Sequence, residues 1–259
     1  EWNAGGRPPS AGWAWTMDGR PMHTMSAPEP PLPLRAWHAV TTRGPRYAWH
    51  KVLRRTLRRW PAWKRRLVYA DPRAYWTLRG GRDYFREQEG QIARGLRAEW
   101  IAGRIAAYRP TSILEVGCGY GKLLRELRAR TDVPITGVDF SPTQLDAGRG
   151  YLEGLDDISL VLARGDRLPF ADGSFDLVVT SAVILHNPPE IADRIRREVV
   201  RVARRFAAHN EERNLSYNRY GYDTAAWYRA EGRRLAEVGP IPMDGDAETS
   251  QFCVARLDA

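Results

Sequence analysis

From Ser112 onward the chain repeats one theme: short apolar runs bounded by polar turns, alternating with stretches whose apolar residues fall three or four apart. Runs of the first kind at 112–116 (SILEV), 135–139 (ITGVD), 159–163 (SLVLA), 175–180 (FDLVVT), 206–210 (FAAHN), 233–238 and 251–256 (QFCVAR) predict seven strands. Helical spacing fits 120–130, 142–152 and 191–205, with a short helix after 180. Strands roughly 20–30 residues apart with helices between them suit βαβ units. The predicted class is therefore α/β, a mostly parallel sheet covered on both faces.

Upstream, the spacing predicts one helix from about Asp83 to Arg109, with Phe85, Ile92, Leu96, Trp100 or Ile101, Ile105 and Tyr108 on one side and Pro110 as its stop. Before it, WHKVLRRTLRRW places Trp49, Val52, Leu53, Leu57 and Trp60 at helical spacing, with Lys51, Arg54, Arg55, Arg58 and Arg59 on the other face and Pro61 at the end. One reading makes residues 46–60 a grip for an anionic membrane surface or RNA. The other packs the Trp/Leu stripe as a cap on the main domain and leaves the arginines in water. The second is preferred, because a basic face alone specifies no partner. Residues 1–34, rich in Gly, Pro and Ser, read as a flexible tail. Met25 is a candidate start, with 1–24 as upstream sequence. The expected organisation is a tail at 1–34, a helical cap at 35–109 and the main domain at 110–259.

Composition changes this picture little. The 259 residues are 43% hydrophobic, and no apolar stretch approaches a membrane span of about 18 residues. With Cys118 and Cys253 the only cysteines, neither a disulfide scaffold nor a cysteine-built zinc site is expected, and no metal is assigned. The N-terminal stretch lacks a signal-peptide pattern, so the expected compartment is the cytoplasm. The net charge of +9 is local: residues 43–73 hold eleven Arg or Lys and one acid. Only Lys51, Lys64 and Lys122 are lysines, so the chain favours Arg throughout and arginine count is a weak argument for nucleic acid.

The chemistry concentrates where the first strand meets the first helix. There "EVGCGYG" carries Gly117, Gly119 and Gly121, a turn that lets backbone approach a ligand, with amides at the helix start pointing at it. Asp139 ends the second strand, 22 residues after Gly117, where a carboxylate can take both hydroxyls of a ribose. Asp166, in "ARGDRLPF" after the third strand, is placed to accept from an adenine amine. An adenosine ligand is implied. A dinucleotide loop wants G-x-G-x-x-G, but Gly121 is followed by Lys122, and Glu115 at the strand end suits a cationic amine better than a pyrophosphate.

With these residues in place the sequence resembles the class I S-adenosylmethionine-dependent methyltransferases, in their small-molecule branch. "EVGCGYG" looks like their first motif, "GVDFS" their second, and "GDRLPFADGSFDLVV" their third followed by the acidic fourth strand. The resemblance covers about residues 110–259 and implies a doubly wound, Rossmann-like sheet of seven strands. It further implies that Glu115 orders the loop and helps hold the methionine amine, that Gly117 and Gly119, with Cys118 between them in the cofactor site, make room for the methionine part, and that Asp139 takes the ribose. Phe140 would lie against adenine, Asp166 would bond its amine, Arg167 would offer its backbone N–H, and Ser181 would complete the set. Tyr84 resembles a cap aromatic that closes over the cofactor in small-molecule members. Cys118 reads as a small filler, not a nucleophile.

Catalysis needs positioning and, for a protic acceptor, a base. His186, in "SAVILHNPP" after the fourth strand, is one candidate. "HNEE" supplies His209 as another, with Glu211 and Glu212 as acceptor ligands or solvated loop charge. "NPPE" at 187–190 lies seven residues beyond Thr180 and ends in Glu190, which sets it apart from the Asn-Pro-Pro-aromatic signature of base-amine methyltransferases. The acceptor expected is a small molecule, a specialised metabolite by the resemblance. RNA methylation through the basic helix, a nicotinamide-dependent oxidoreductase and a noncatalytic adenosine-binding module stay open as alternatives. Nothing in the sequence sets the oligomeric state.

Overall fold

The computed structural model describes residues 44–89, 92–242 and 249–258. The expectations for the 1–34 tail and for Met25 lie outside the described residues. The chain divides into two compact units, Glu1–Ala48 and Trp49–Ala259. The first is described only from Gly44 to Ala48. Everything that follows concerns the second.

Seven strands form one sheet: β1 (Ile113–Val116), β2 (Ile135–Asp139), β3 (Ile158–Leu162), β4 (Phe175–Ser181), β5 (Ala203–Glu212), β6 (Leu235–Gly239) and β7 (Ser250–Arg256). Their order across the sheet is β3-β2-β1-β4-β5-β7-β6. The first five pair in parallel, while β7 runs antiparallel to both β5 and β6. Chain order reverses direction between β1 and β4, the switch point at which open α/β sheets form a ligand crevice beyond their strand ends.

The central strands explain the fully apolar runs. All four β1 residues are buried, and neighbours along a strand feed opposite cores. Ile113, Leu177 and Val179 pack on one face with Ile101, Ile105, Leu124 and Leu127. Leu114, Val116 and Val178 pack on the other with Ile195, Val199 and Val202. Each such side chain contributes about 1.5–3 kcal/mol by leaving water. The helix Pro189–Val202 covers the second face because Ala192, Ile195, Val199 and Val202 recur on one side of it.

Of the helix expected over 83–109, the described parts are Arg82–Glu89 and Ile92–Ala107. Elsewhere the structure differs from the sequence-based expectation. Strand β5 extends beyond 206–210 at both ends, because β7 pairs with it from Phe206 to Glu212 and its start pairs with β4 at Phe175↔Ala203. Pro61 does not merely end the basic helix Pro45–Thr56; after the short 3-10 turn Leu57–Arg59 it begins a second helix, Pro61–Val68, at the position where its missing N–H costs nothing. The stripe on the basic helix is also split. Leu53 and Leu57 pack beside Val68, Tyr69 and Tyr75, but Trp49, Val52 and Trp60 are exposed. No helix among the described residues is long and apolar enough to cross a membrane.

Candidate functional site

At the end of β1 the chain turns sharply under β2. The amides of Gly117 and Cys118 both donate to the Val138 carbonyl, at 2.7 and 2.9 Å, and Gly119 N–H donates to Asp139 Oδ2 at 2.9 Å. Those three amides hold the loop. What the glycines supply is room. Gly117 sits at φ +74°, and a Cβ there would meet Val183 Cγ2 at 2.4 Å. Cys118 is buried with its thiol pushed well above the ordinary range by burial and then by the Glu115 and Asp139 charges, in keeping with a filler.

Asp139 is the joint of this region. Its Oδ1 accepts from Ser141 N–H at 2.8 Å while Oδ2 takes Gly119, so one carboxylate pins the turns after β1 and β2 together. A carboxylate has roughly four acceptor positions, so these bonds leave it some capacity. Burial raises its pKa and the donated amides of Ser141, Gly119 and Phe140 pull it back. Glu115 is less well served: its Oε2 is buried with no hydrogen-bond partner. Burial first, then the Asp139 charge, push its carboxyl well above the usual range. Asp166 is gripped by Arg164, with Arg194 further off at 3.6 Å, and the Arg164 bond holds its carboxyl below the ordinary value.

These residues line a cavity of about 430 Å³, within the roughly 300–1,000 Å³ range of small-molecule sites. Glu115, Gly117, Cys118, Gly119, Asp139, Phe140, Asp166 and Ser181 form one part of its wall. Trp76, Tyr84 and His186 form part of the rest, so the helices Pro72–Arg79 and Arg82–Glu89 border it. The Tyr84 ring stands edge-on to Trp76 at 5.8 Å with the Arg79 guanidinium 5.1 Å from its centre.

His186 is held on every side. It ends the 3-10 turn Ile184–His186, whose amides Glu211 captures: the carboxylate accepts from Val183, Ile184 and Leu185 N–H at 3.1–3.2 Å and from Thr180 Oγ1 at 2.8 Å. Nδ1 lies 2.6 Å from the Asn218 carbonyl, which can only accept, so Nδ1 carries the proton and Nε2 is the basic nitrogen. The Trp76 ring crosses the imidazole at 4.8 Å, and Tyr69 Oη donates to the His186 carbonyl at 2.5 Å. Ala182, immediately after β4, adopts φ +55°, an uncommon conformation for a side-chain-bearing residue, with its N–H donated to the Asn210 carbonyl at 2.8 Å.

Two expected site residues fall elsewhere. His209 is fully buried and does not line the cavity. Thr180 Oγ1 gives its one hydrogen to Glu211, so His209 Nδ1–H donates to Thr180 Oγ1 at 2.8 Å and Tyr228 O–H donates to Nε2 at 2.8 Å. Burial, then the Arg196 charge, lower its pKa to about 3. It is a neutral structural link between β4, β5 and the helix Thr224–Ala230, with no path to an acceptor. Arg167 does not line the cavity, and its backbone N–H is spent on the Arg164 carbonyl at 3.2 Å. Glu211 is a buried anchor and no acceptor ligand, while Glu212 does line the cavity, paired with Arg97 at 3.2 Å and with Arg219.

Sequence reasoning missed Trp76, Asn210, Asn218 and Gln144. Asn210 faces Ser181 across the β4–β5 register, gives Nδ2 to Ser181 Oγ at 2.7 Å and leaves Oδ1 buried without a partner. Gln144 accepts from Gly81 N–H at 3.2 Å and so ties the cap to the helix Pro142–Tyr151. None carries a local signal; each is assembled by pairing between distant segments.

Residues 113–205 match the family model described as a methyltransferase domain. The chain is 40% identical over 121 residues to demethylmenaquinone methyltransferase of Roseiflexus sp. strain RS-1, across 44% of this chain and 49% of that protein. It is 38% identical over 95 residues to methyltransferase GfsG of Streptomyces halstedii, across 36% of this chain and 34% of that protein. The chain thus spans about half or less of the length of these curated relatives. Among solved structures, magnesium protoporphyrin IX methyltransferase of Synechocystis PCC 6803 shares the fold with a TM-score of 0.53 at 16% identity, over 80% of this chain and 96% of that one. The sheet has the class I methyltransferase fold, and residues 113–205 are similar to methyltransferase domains.

Proposed function

We propose that the protein transfers the methyl group of S-adenosylmethionine to a small-molecule acceptor bound between the strand ends and the cap helices. The observation that carries this reading is Glu115 Oε2, a buried carboxylate oxygen without a partner beside the glycine turn. Leaving such a group unmatched costs about 1–3 kcal/mol or more, and an ammonium entering the cavity would satisfy it. The remaining wall fits the rest of the same ligand. Asp139 keeps acceptor positions for ribose hydroxyls, Phe140 offers a ring for adenine, and Asp166 offers a carboxylate for its amine. Ser181 and the unpartnered Asn210 Oδ1 supply further polar contacts, and Tyr84 covers the site from the cap.

When bound, the cofactor supplies a sulfonium methyl already activated toward an acceptor lone pair approaching in line. The chain's own task is placement. Trp76, Tyr84 and the cap exclude water and orient the acceptor, and alignment of this kind is worth up to roughly 7–11 kcal/mol. For a protic acceptor, His186 Nε2 takes the proton, worth about 10²–10⁴-fold. The imidazolium keeps its Nδ1–H on Asn218, so the ring need not turn.

A small acceptor is supported by the cavity's size and by the relatives, one named for demethylmenaquinone and others as ajmaline and norajmaline N-methyltransferases of Rauvolfia serpentina. Thermal shift and calorimetry with S-adenosylhomocysteine and with NAD test the cofactor: the first should raise the melting temperature and the second should not. Stabilisation by NAD alone would restore the oxidoreductase reading. Incubation of a metabolite extract with methyl-labelled cofactor then tests turnover, and label entering only RNA would overturn the small-molecule assignment.

A further inference from the structure

The helices Pro45–Thr56 and Pro61–Val68 present apolar residues in two directions. One set packs: Leu53 and Leu57 lie beside Val68, Tyr69 and Tyr75. The other stays in water. Trp49 is 63% exposed, Val52 44%, Trp60 58%, Trp63 57% and Leu67 54%. Single apolar residues on a surface need no explanation, but three indoles and two aliphatic side chains within one short stretch do.

The charge around them is one-sided. From Pro30 to Ala70 the chain has eleven Arg or Lys and no Asp or Glu. Two of these cations turn inward. Lys64 is buried with its ammonium 3.8 Å from the centre of the Tyr217 ring, and Arg65 donates to the Ser216 carbonyl and to that of Arg219 at 2.6 Å. Arg55, Arg59 and Arg66 are exposed on the same two helices and their connection. Exposed indoles and aliphatics flanked by exposed guanidiniums are what an anionic lipid surface complements: apolar side chains enter the headgroup boundary while Arg meets phosphate.

We propose that this face docks the protein onto an anionic membrane surface, with Trp49, Trp60, Trp63 and Leu67 inserted and Arg55, Arg59 and Arg66 on lipid phosphates. RNA would match the guanidiniums and could stack on the indoles, but it offers nothing to Val52 and Leu67. Lipid takes both kinds of side chain. The inference is independent of the methyl-transfer reading, since none of these residues lines the cavity.

Flotation of the full chain with vesicles tests it, using phosphatidylglycerol mixed with phosphatidylcholine against phosphatidylcholine alone. The chain should float with the anionic vesicles only, its tryptophan emission should shift to the blue, and added salt should release it. Replacing Arg55, Arg59 and Arg66 together by Gln should weaken partitioning about 100-fold, at about fivefold per cation. Trp63→Ala with Leu67→Ala should weaken it at unchanged melting temperature, since both side chains are already in water. Failure to float with anionic vesicles at low salt overturns the proposal. So would flotation unaffected by either variant, or binding to single-stranded RNA that anionic vesicles do not compete.

Discussion

The buried His209 makes the protein sensitive to acid in a way that can be calculated. Its folded pKa is lowered to about 3 by burial and by Arg196, against about 6.5 in an unfolded chain. Between these values the unfolded chain binds a proton that the folded protein refuses, so stability falls as pH falls. The slope approaches 1.4 kcal/mol per pH unit, and the loss from about pH 7.5 to about pH 5 is about 2 kcal/mol. Glu115 and Glu211 act in the opposite sense, because burial raises their folded values and lowering the pH relieves them. A comparison with His209→Gln removes that common background. At neutral pH the variant should be less stable by about 1–3 kcal/mol, for the broken links to Thr180 and Tyr228. Urea denaturation followed by tryptophan fluorescence should show this gap shrinking by about 2 kcal/mol at the acid end. A gap constant to within about 0.5 kcal/mol would mean that His209 titrates normally in the folded protein. It would then be open to water, and its exclusion as a base would fail.

Asp139→Ala should weaken S-adenosylhomocysteine binding about 10- to 150-fold, since a charged acceptor is worth about 1.5–3 kcal/mol; unchanged affinity by calorimetry would take Asp139 off the ribose. His186→Ala should lower kcat by about 10²–10⁴-fold while cofactor affinity stays the same, and a rate equal to wild type at every pH would leave His186 only a structural part. Glu115→Gln removes a buried charge, so the ligand-free protein should melt higher while cofactor affinity falls; parallel changes in the two would refute the ammonium site. Leu53→Ala and Leu57→Ala, on the packed side of the basic helix, should each cost about 1–2 kcal/mol and lower the melting temperature by a few degrees.

The sequence by itself determined the sheet and the acid residues on its rim. The runs at 112–116, 135–139 and 175–180 are strands to within about a residue or two, because strands buried on both faces read as near-continuous apolar runs. Glu115 and Asp139 stand at strand ends, and a parallel sheet gathers its strand ends at one edge, so their meeting with Gly117 follows from topology alone. The two histidines mark where that reasoning stops. His186 and His209 both follow apolar runs, yet one enters the cavity and the other the interior. What separates them is the Thr180↔His209 register and the arrival of Tyr228 from the helix Thr224–Ala230, neither of which a local period encodes. The basic helix makes the same point. Its periodicity groups Trp49 and Val52 with Leu53 and Leu57, but only packing against Val68, Tyr69 and Tyr75 decides which of them leave water. Hydrophobic period records that a face is apolar; the partner that covers it lies elsewhere in the chain, and tertiary contact alone brings it there.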